Sequence, residues 1–138
     1  MTVPTKIEFA QRRIRAMRDI TDLATMLFPG NCNQQHAAAR ILLLLRSAKD
    51  PVPNFSVFEA QHDISRRTLQ RVRAKLSRLG LIERISWMSA RYAGREGWRL
   101  SGRMSSSLRH LADWIDEWRT DRSAIRQGKD EQLAELLR

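Results

Sequence analysis

The segment from Ile64 to Ile82 constrains this chain more than any other. It reads I-S-R-R-T-L-Q-R-V-R-A-K-L-S-R-L-G-L-I, a helix with a start signal, a stop signal and one apolar stripe. Ser65 suits an N-cap, because its hydroxyl can accept from a free amide of the first turn. Gly80 stands where a helix would end in a left-handed residue. Between them Leu69, Val72, Leu76 and Leu79 recur at helical spacing. At roughly 100° per residue, the opposite face carries Arg67, Gln70, Arg71, Ala74 and Arg78. Such a helix buries one side and offers a cationic side to solvent. A polyanion suits that face, and residues 66–79 are expected to be a DNA-recognition helix.

What precedes this segment is consistent with that role. Ser56-Val-Phe-Glu59 fits an S-x-x-E capping box and predicts a short helix over about 57–62. His62-Asp63-Ile64 then makes a tight turn, so 56–79 reads as a helix-turn-helix. The alternative is an ordinary helical hairpin in an all-helical bundle. Further upstream, Ile7, Ala10, Ile14, Met17, Ala24 and Leu27 predict one helix over 5–27, with Ile20 and Leu23 widening its apolar face. Its basic N-terminal half either lies over a DNA backbone or is a solvated face. Phe28-Pro29-Gly30-Asn31 ends it. A second helix over 34–48, capped by Asn33 or Asn31, is apolar nearly all round and should be central. His36 near its start reads as a capping or packing residue rather than a ligand. Asp50-Pro51-Val52-Pro53 is a rigid extended connection.

Downstream, Leu81 to Trp87 and Trp98 to Ser101 have strand character, so 81–101 is expected to form a hairpin wing. Arg91 and Arg95 lie at its tip, in reach of a minor groove or of phosphates. Tyr92 either stacks there or covers the hairpin base. A helix over 104–119 follows, with Leu108, Leu111, Ile115 and Trp118 in one stripe and Trp114 beside it. That stripe is either core or a contact for a partner helix. Residues 120–129, with Gly128, read as a break, and 131–138 as a short helix that reaches another chain or frays. The domain plan is thus 1–119 as one DNA-binding domain and 120–138 as a tail.

Charge sharpens this reading. The chain has 138 residues and a net charge of +10, and 21 of its 25 cations are arginine. Residues 54–103 carry eleven Lys/Arg against four Asp/Glu, whereas 104–138 carry six against seven. The excess is therefore concentrated on one motif, and arginine suits bidentate phosphate and guanine contacts. No run of residues approaches the ~18 apolar positions of a membrane span. The basic N-terminal region is not followed by an apolar stretch with a cleavage site, so no signal peptide is expected. The single Cys32 excludes an internal disulfide, and metal-ligand spacing is absent. A cytoplasmic protein is the simplest reading. Neither a phosphate loop nor a catalytic grouping stands out, so no enzyme and no cofactor are expected. Asp113, Asp116 and Glu117 read as a solvated face rather than metal ligands. Cys32, after its turn, is a candidate exposed thiol.

The order helix, helix, short helix, basic helix, hairpin, helix, short helix resembles the MarR-type winged-helix transcription regulators. The stretch D-I-S-R-R-T-L-Q-R-V-R-A-K-L-S-R-L-G-L-I-E-R, from Asp63 to Arg84, is similar to their serine-capped recognition helix running into the wing. W-R-L-S-G-R-M-S-S-S-L-R-H-L-A-D-W-I-D-E-W, from Trp98 to Trp118, looks like the passage from wing to fifth helix. The wing tip departs from the Asp-x-Arg-Arg/Ser motif of many such regulators and reads Ser89-Ala-Arg-Tyr-Ala-Gly-Arg-Glu. Phage or plasmid replication, partition and packaging proteins use the same module, and fold does not fix function. The resemblance implies a mainly α fold with a small β-hairpin wing (α+β), a winged helix-turn-helix with extra terminal helices. It also implies a homodimer joined through the N- and C-terminal helices, with double-stranded DNA as partner. A small-molecule effector fits the resemblance, though no residue points to one. Arg67, Gln70 and Arg71 are expected at base edges, and Arg66, Arg73, Arg78, Arg91 and Arg95 at phosphates or the minor groove.

Overall fold

The computed structural model of the chain describes residues 5–86 and 96–138. Among the described residues there are seven helices and one two-stranded antiparallel sheet, a mainly helical α+β architecture. The elements are α1 (Gln11–Arg15), α2 (Ile20–Leu27), α3 (Cys32–Ser47), α4 (Val57–Gln61), α5 (Arg66–Leu79), β1 (Ile82–Ile85), β2 (Gly97–Leu100), α6 (Arg103–Thr120) and α7 (Ala124–Glu135). The chain divides into two compact units between Met104 and Ser105.

The first unit has one closed core. Leu27, Ala37, Ala38, Ile41, Val72, Leu76 and Ile82 are wholly buried in it, with Phe55, Phe58 and Met104 closing its edges. Helix α3 runs through the middle against α2, α5 and β2, as its nearly continuous apolar surface requires. The expected single helix over 5–27 is a correction: it is two helices. The Asp19 side chain accepts from the amides of Thr21 (2.9 Å) and Asp22 (3.2 Å), and the Asp22 carboxylate accepts back from Asp19 N at 3.3 Å. This reciprocal cap offers the backbone a local alternative to continuing the helix, so α2 starts afresh at Ile20. Residues 5–8 run alongside α2, with Glu8 N donating to Met26 O at 2.8 Å. Ile7, Ile14, Met17, Ile20 and Leu23 all pack on the chain's own core.

Two further boundaries moved for identifiable reasons. Asn31 caps α3, accepting from Gln34 N at 3.0 Å, so that helix begins at Cys32 rather than 34. The Ser56 capping box does not form. Ser56 is already in the right-handed helical region, and its hydroxyl donates to Asn54 Oδ1 at 2.6 Å instead. Asn54 also takes the Ser56 amide at 3.1 Å, so the turn into α4 belongs to Asn54.

The sheet pairs Glu83 with Arg99 and Arg84 with Trp98. Val52 adds a bridge outside the named strands: its N donates to Trp98 O at 2.9 Å and its O accepts from Trp98 N at 2.7 Å. The rigid Pro51-Val52-Pro53 connection therefore works as a third strand-like segment. Gly97 sits against it because a Cβ there would lie 2.6 Å from the Val52 carbonyl.

In the second unit, the expected break over 120–129 is confined to residues 121–123. Asp121 Oδ1 accepts from Ser123 N at 3.0 Å, and the Ser123 hydroxyl accepts from Arg126 N at 3.3 Å, starting α7 at Ala124. Gly128 lies inside α7, tolerated in a helix supported by Gln127–Glu131 (2.9 Å) and by Arg126 between Asp121 (3.7 Å) and Asp130 (4.0 Å). The helix expected over 131–138 is thus the second half of a longer one.

Candidate nucleic-acid interface

Helix α5 is held by its ends and by its apolar side. The Ser65 hydroxyl accepts from Thr68 N at 3.1 Å, and Gly80 closes the helix with φ of 87°. Gly80 is also a close-approach point. Its carbonyl accepts from Met104 N at 3.0 Å, and a Cβ would stand 2.9 Å from that nitrogen. Leu69, Val72 and Leu76 are buried. The turn before it contains Asp63 with φ of 51°, the one described non-glycine residue at positive φ. A short Asp side chain tolerates that conformation and lets α5 follow α4 after only four residues, 62–65.

With the inner side fixed, the outer side follows. Arg66, Arg67, Gln70, Arg71, Ala74 and Arg78 are all exposed. From Arg66 to Leu79 there is no acidic residue to neutralise them. The structure therefore brings together five of the eight residues expected at the site. Arg78 also donates from Nε to the Thr5 hydroxyl at 3.4 Å, bringing the N-terminal segment beside the end of this face. Arg91 and Arg95, with Tyr92, lie outside the described residues.

Arg73 is placed differently from the expectation. It is half-buried, with its guanidinium 5.1 Å from the centre of the Trp98 ring. That cation–π contact ties α5 to β2 and makes Arg73 a support of the hairpin. Glu83 performs the matching role on β1. It takes Arg99 at 2.6 Å and Arg103 at 3.7 Å, across the strand pair and into the first turn of α6. Arg84 and Glu96, 3.6 Å apart, bracket the hairpin on its outer edge.

Two features escaped the sequence reading. Lys75 points inward, donating to Lys6 O at 2.5 Å and to Leu27 O, with its ammonium 4.5 Å from the Phe28 ring centre. It closes the free carbonyl end of α2, and burial, then the nearby Arg78, holds its pKa below the usual lysine value. The second is a shallow groove beside the arginine face, lined by Asn54, Ser56, Glu59, Arg66, Gln70 and Arg73 with Phe55 and Leu69 at its floor. Glu59 is its only acid, and a carboxylate there suits a cytosine amino group. Neither was visible from periodicity, because both depend on how α4 and residues 5–8 cross α5.

Behind the turn, His36 and His62 meet edge to face at 5.7 Å, and Arg40 Nε donates to His36 Nε2 at 3.2 Å. Partial burial, then Arg40, then His36 push the His62 pKa down. Cys32 is exposed and free. No described helix is long and apolar enough to cross a membrane. No family model matches the chain, and no curated protein or solved structure matches it.

Proposed function

We propose that this chain is a sequence-specific double-stranded-DNA-binding protein of winged helix-turn-helix type, acting in the cytoplasm as a dimeric transcriptional regulator of the MarR kind. One observation carries the reading. Helix α5 presents Arg66, Arg67, Gln70, Arg71 and Arg78 to solvent on a helix with no acid, anchored by a buried opposite side. Arg67, Gln70 and Arg71 sit in its first turns, where a helix end entering a major groove meets base edges. Arg66 and Arg78 flank them at phosphate positions, and on sequence grounds alone Arg91 and Arg95 are assigned to phosphates or the minor groove beside them. No catalytic step is assigned to the chain.

A second reading, a replication, partition or packaging adaptor built on the same module, is favoured by the exposed Trp114 and Trp118 outside the basic unit. Selection from a random duplex library at about 150–200 mM salt, where sequence-independent binding is weak, separates these readings. A palindromic consensus with half-sites about one helical turn apart supports the dimeric regulator. Enrichment of a single unpaired site supports the adaptor. No enrichment at all overturns specific DNA binding.

A further inference from the structure

The groove between the start of α4 and the first half of α5 has a volume of about 390 Å³, and the core fixes its walls. Phe58 is buried and anchors α4, while the next residue, Glu59, is exposed and lines the groove. Phe55 and Leu69 form a buried floor. The Phe55 ring stacks on Phe58 with centres 6.5 Å apart and lies 6.4 Å from Trp98, so this floor is set before any ligand arrives. We propose that Glu59 is a base-reading residue, which accepts from the exocyclic amino group of a cytosine beside the base met by Gln70. The proposal rests on the DNA-binding reading above and deepens it, because it takes part of the base-reading surface off α5 and gives it to α4.

The first observation is an acid left unpaired among cations. Arg66 and Arg73 line the groove with Glu59, yet among the described residues the Glu59 carboxylate forms no ion pair and no hydrogen bond. The Arg73 guanidinium is held over the Trp98 ring instead. A free carboxylate on this face repels phosphate and weakens binding to every sequence, unless a donor meets it. The major groove offers two amino donors. Adenine sets the acceptor N7 beside its N6 amino group, which suits an amide side chain and opposes one oxygen of a carboxylate. Cytosine presents its N4 amino group with no acceptor beside it on the same base. A carboxylate at this position therefore selects cytosine.

The second observation is placement. Gln70 lines the same groove and belongs to the turns of α5 expected at base edges. A duplex that Gln70 reaches brings a neighbouring base pair toward Glu59. The third is the rim. Asn54 Oδ1 accepts from both the Ser56 amide (3.1 Å) and the Ser56 hydroxyl (2.6 Å), which leaves the Asn54 amide nitrogen as its free end. That end is a donor and suits a phosphate. The groove thus holds an acceptor for a base and a donor for the backbone.

The test is competition fluorescence anisotropy with the full chain at about 150 mM salt. The probes are a duplex selected from a random library and variants carrying each other base pair at every position. The wild-type chain should prefer cytosine by at least about tenfold at one position, next to the one that Gln70→Ala relaxes. Glu59→Ala should erase that preference, leave the other positions unchanged and bind a scrambled duplex about threefold more tightly. Glu59→Gln, close in shape and able to pair bidentately with adenine, should move the preference from cytosine to adenine. Glu59 also lies in the first turn of the five-residue α4. A lower melting temperature with base preference intact would make it a support of that helix and overturn the proposal. A consensus that Glu59→Ala leaves untouched at every position also overturns it, and spares the DNA-binding reading. A wild-type chain that selects no sequence overturns both.

Discussion

The two units of this chain solve opposite problems with similar helices. In α5, Leu69, Val72 and Leu76 are buried and the arginines are left in solvent. In α6, only Met104 of the first turn is buried, and the apolar stripe beyond it is left in solvent. Both helices have one apolar side, so amphipathicity alone does not tell a closed element from an open one. The difference lies in what surrounds them. Helix α5 has α3 and β1 against it, whereas the second unit consists only of α6 from Ser105 onward and α7. A region whose apolar side is covered displays charge, and one whose apolar side is bare displays that apolar side.

Core truncation should show the largest contrast. Leu76 is fully buried, and Leu76→Ala should cost about 3–4 kcal/mol in denaturant titration. Leu111→Ala, at a residue 51% exposed, should cost less than about 1 kcal/mol of the chain's own folding. Equal costs would show that α6 is packed as fully as α5. The glycines offer a second contrast of opposite sign. Gly97→Ala should destabilise by about 2–3 kcal/mol, because φ is 153° and the new Cβ meets the Val52 carbonyl at 2.6 Å. Gly128→Ala, where nothing lies within 4 Å, should stabilise α7 by about 0.5–1 kcal/mol in thermal melting.

Within the arginine face the effects should be smaller and separable. Arg71→Ala should cost about 1–3 kcal/mol on the preferred sequence and relax preference at one base position, read by competition with single-base variants. Arg78→Ala should weaken all sequences alike and reduce the slope of log affinity against log salt by about one. Identical behaviour of the two would make the face a uniform electrostatic grip.

The smallest expected effect is pH dependence at His62. Its pKa is lowered, so the folded chain binds fewer protons there than the unfolded chain once pH drops below the ordinary value of 6.5. The contribution of this site is fully present above about pH 6.5 and is lost as pH falls through the depressed value. His62→Gln should flatten the dependence of melting temperature between about pH 5 and 7.5. An unchanged slope would assign it to other groups.

Much of the first unit was legible in the sequence because its signals are local. Ser65, Gly80 and the Leu69–Leu79 stripe set α5 and its outer face without reference to anything distant. What failed were positions where a neighbour outcompetes the motif. Asn54 takes the Ser56 hydroxyl that the capping box would use, and Asp19 with Asp22 divides a helix whose apolar periodicity is unbroken. Arg73 and Lys75 lie on a helix whose cations all look alike in one dimension. Trp98 and the Leu27 carbonyl, both far along the chain, draw these two away from solvent. Gly128 does not break α7, since one glycine costs only about 1 kcal/mol in a helix and ion pairs hold α7 through it.

The central claim, that the outer face of α5 reads DNA sequence, is tested most directly by the ratio of affinities for a selected duplex and its scrambled counterpart. The measurement is fluorescence anisotropy with the full chain at about 150 mM salt. A ratio of about a thousand or more, collapsing when Arg67, Gln70 and Arg71 are together replaced by alanine, is the predicted result. Equal affinity for the two duplexes, or a ratio untouched by that triple replacement, would contradict it.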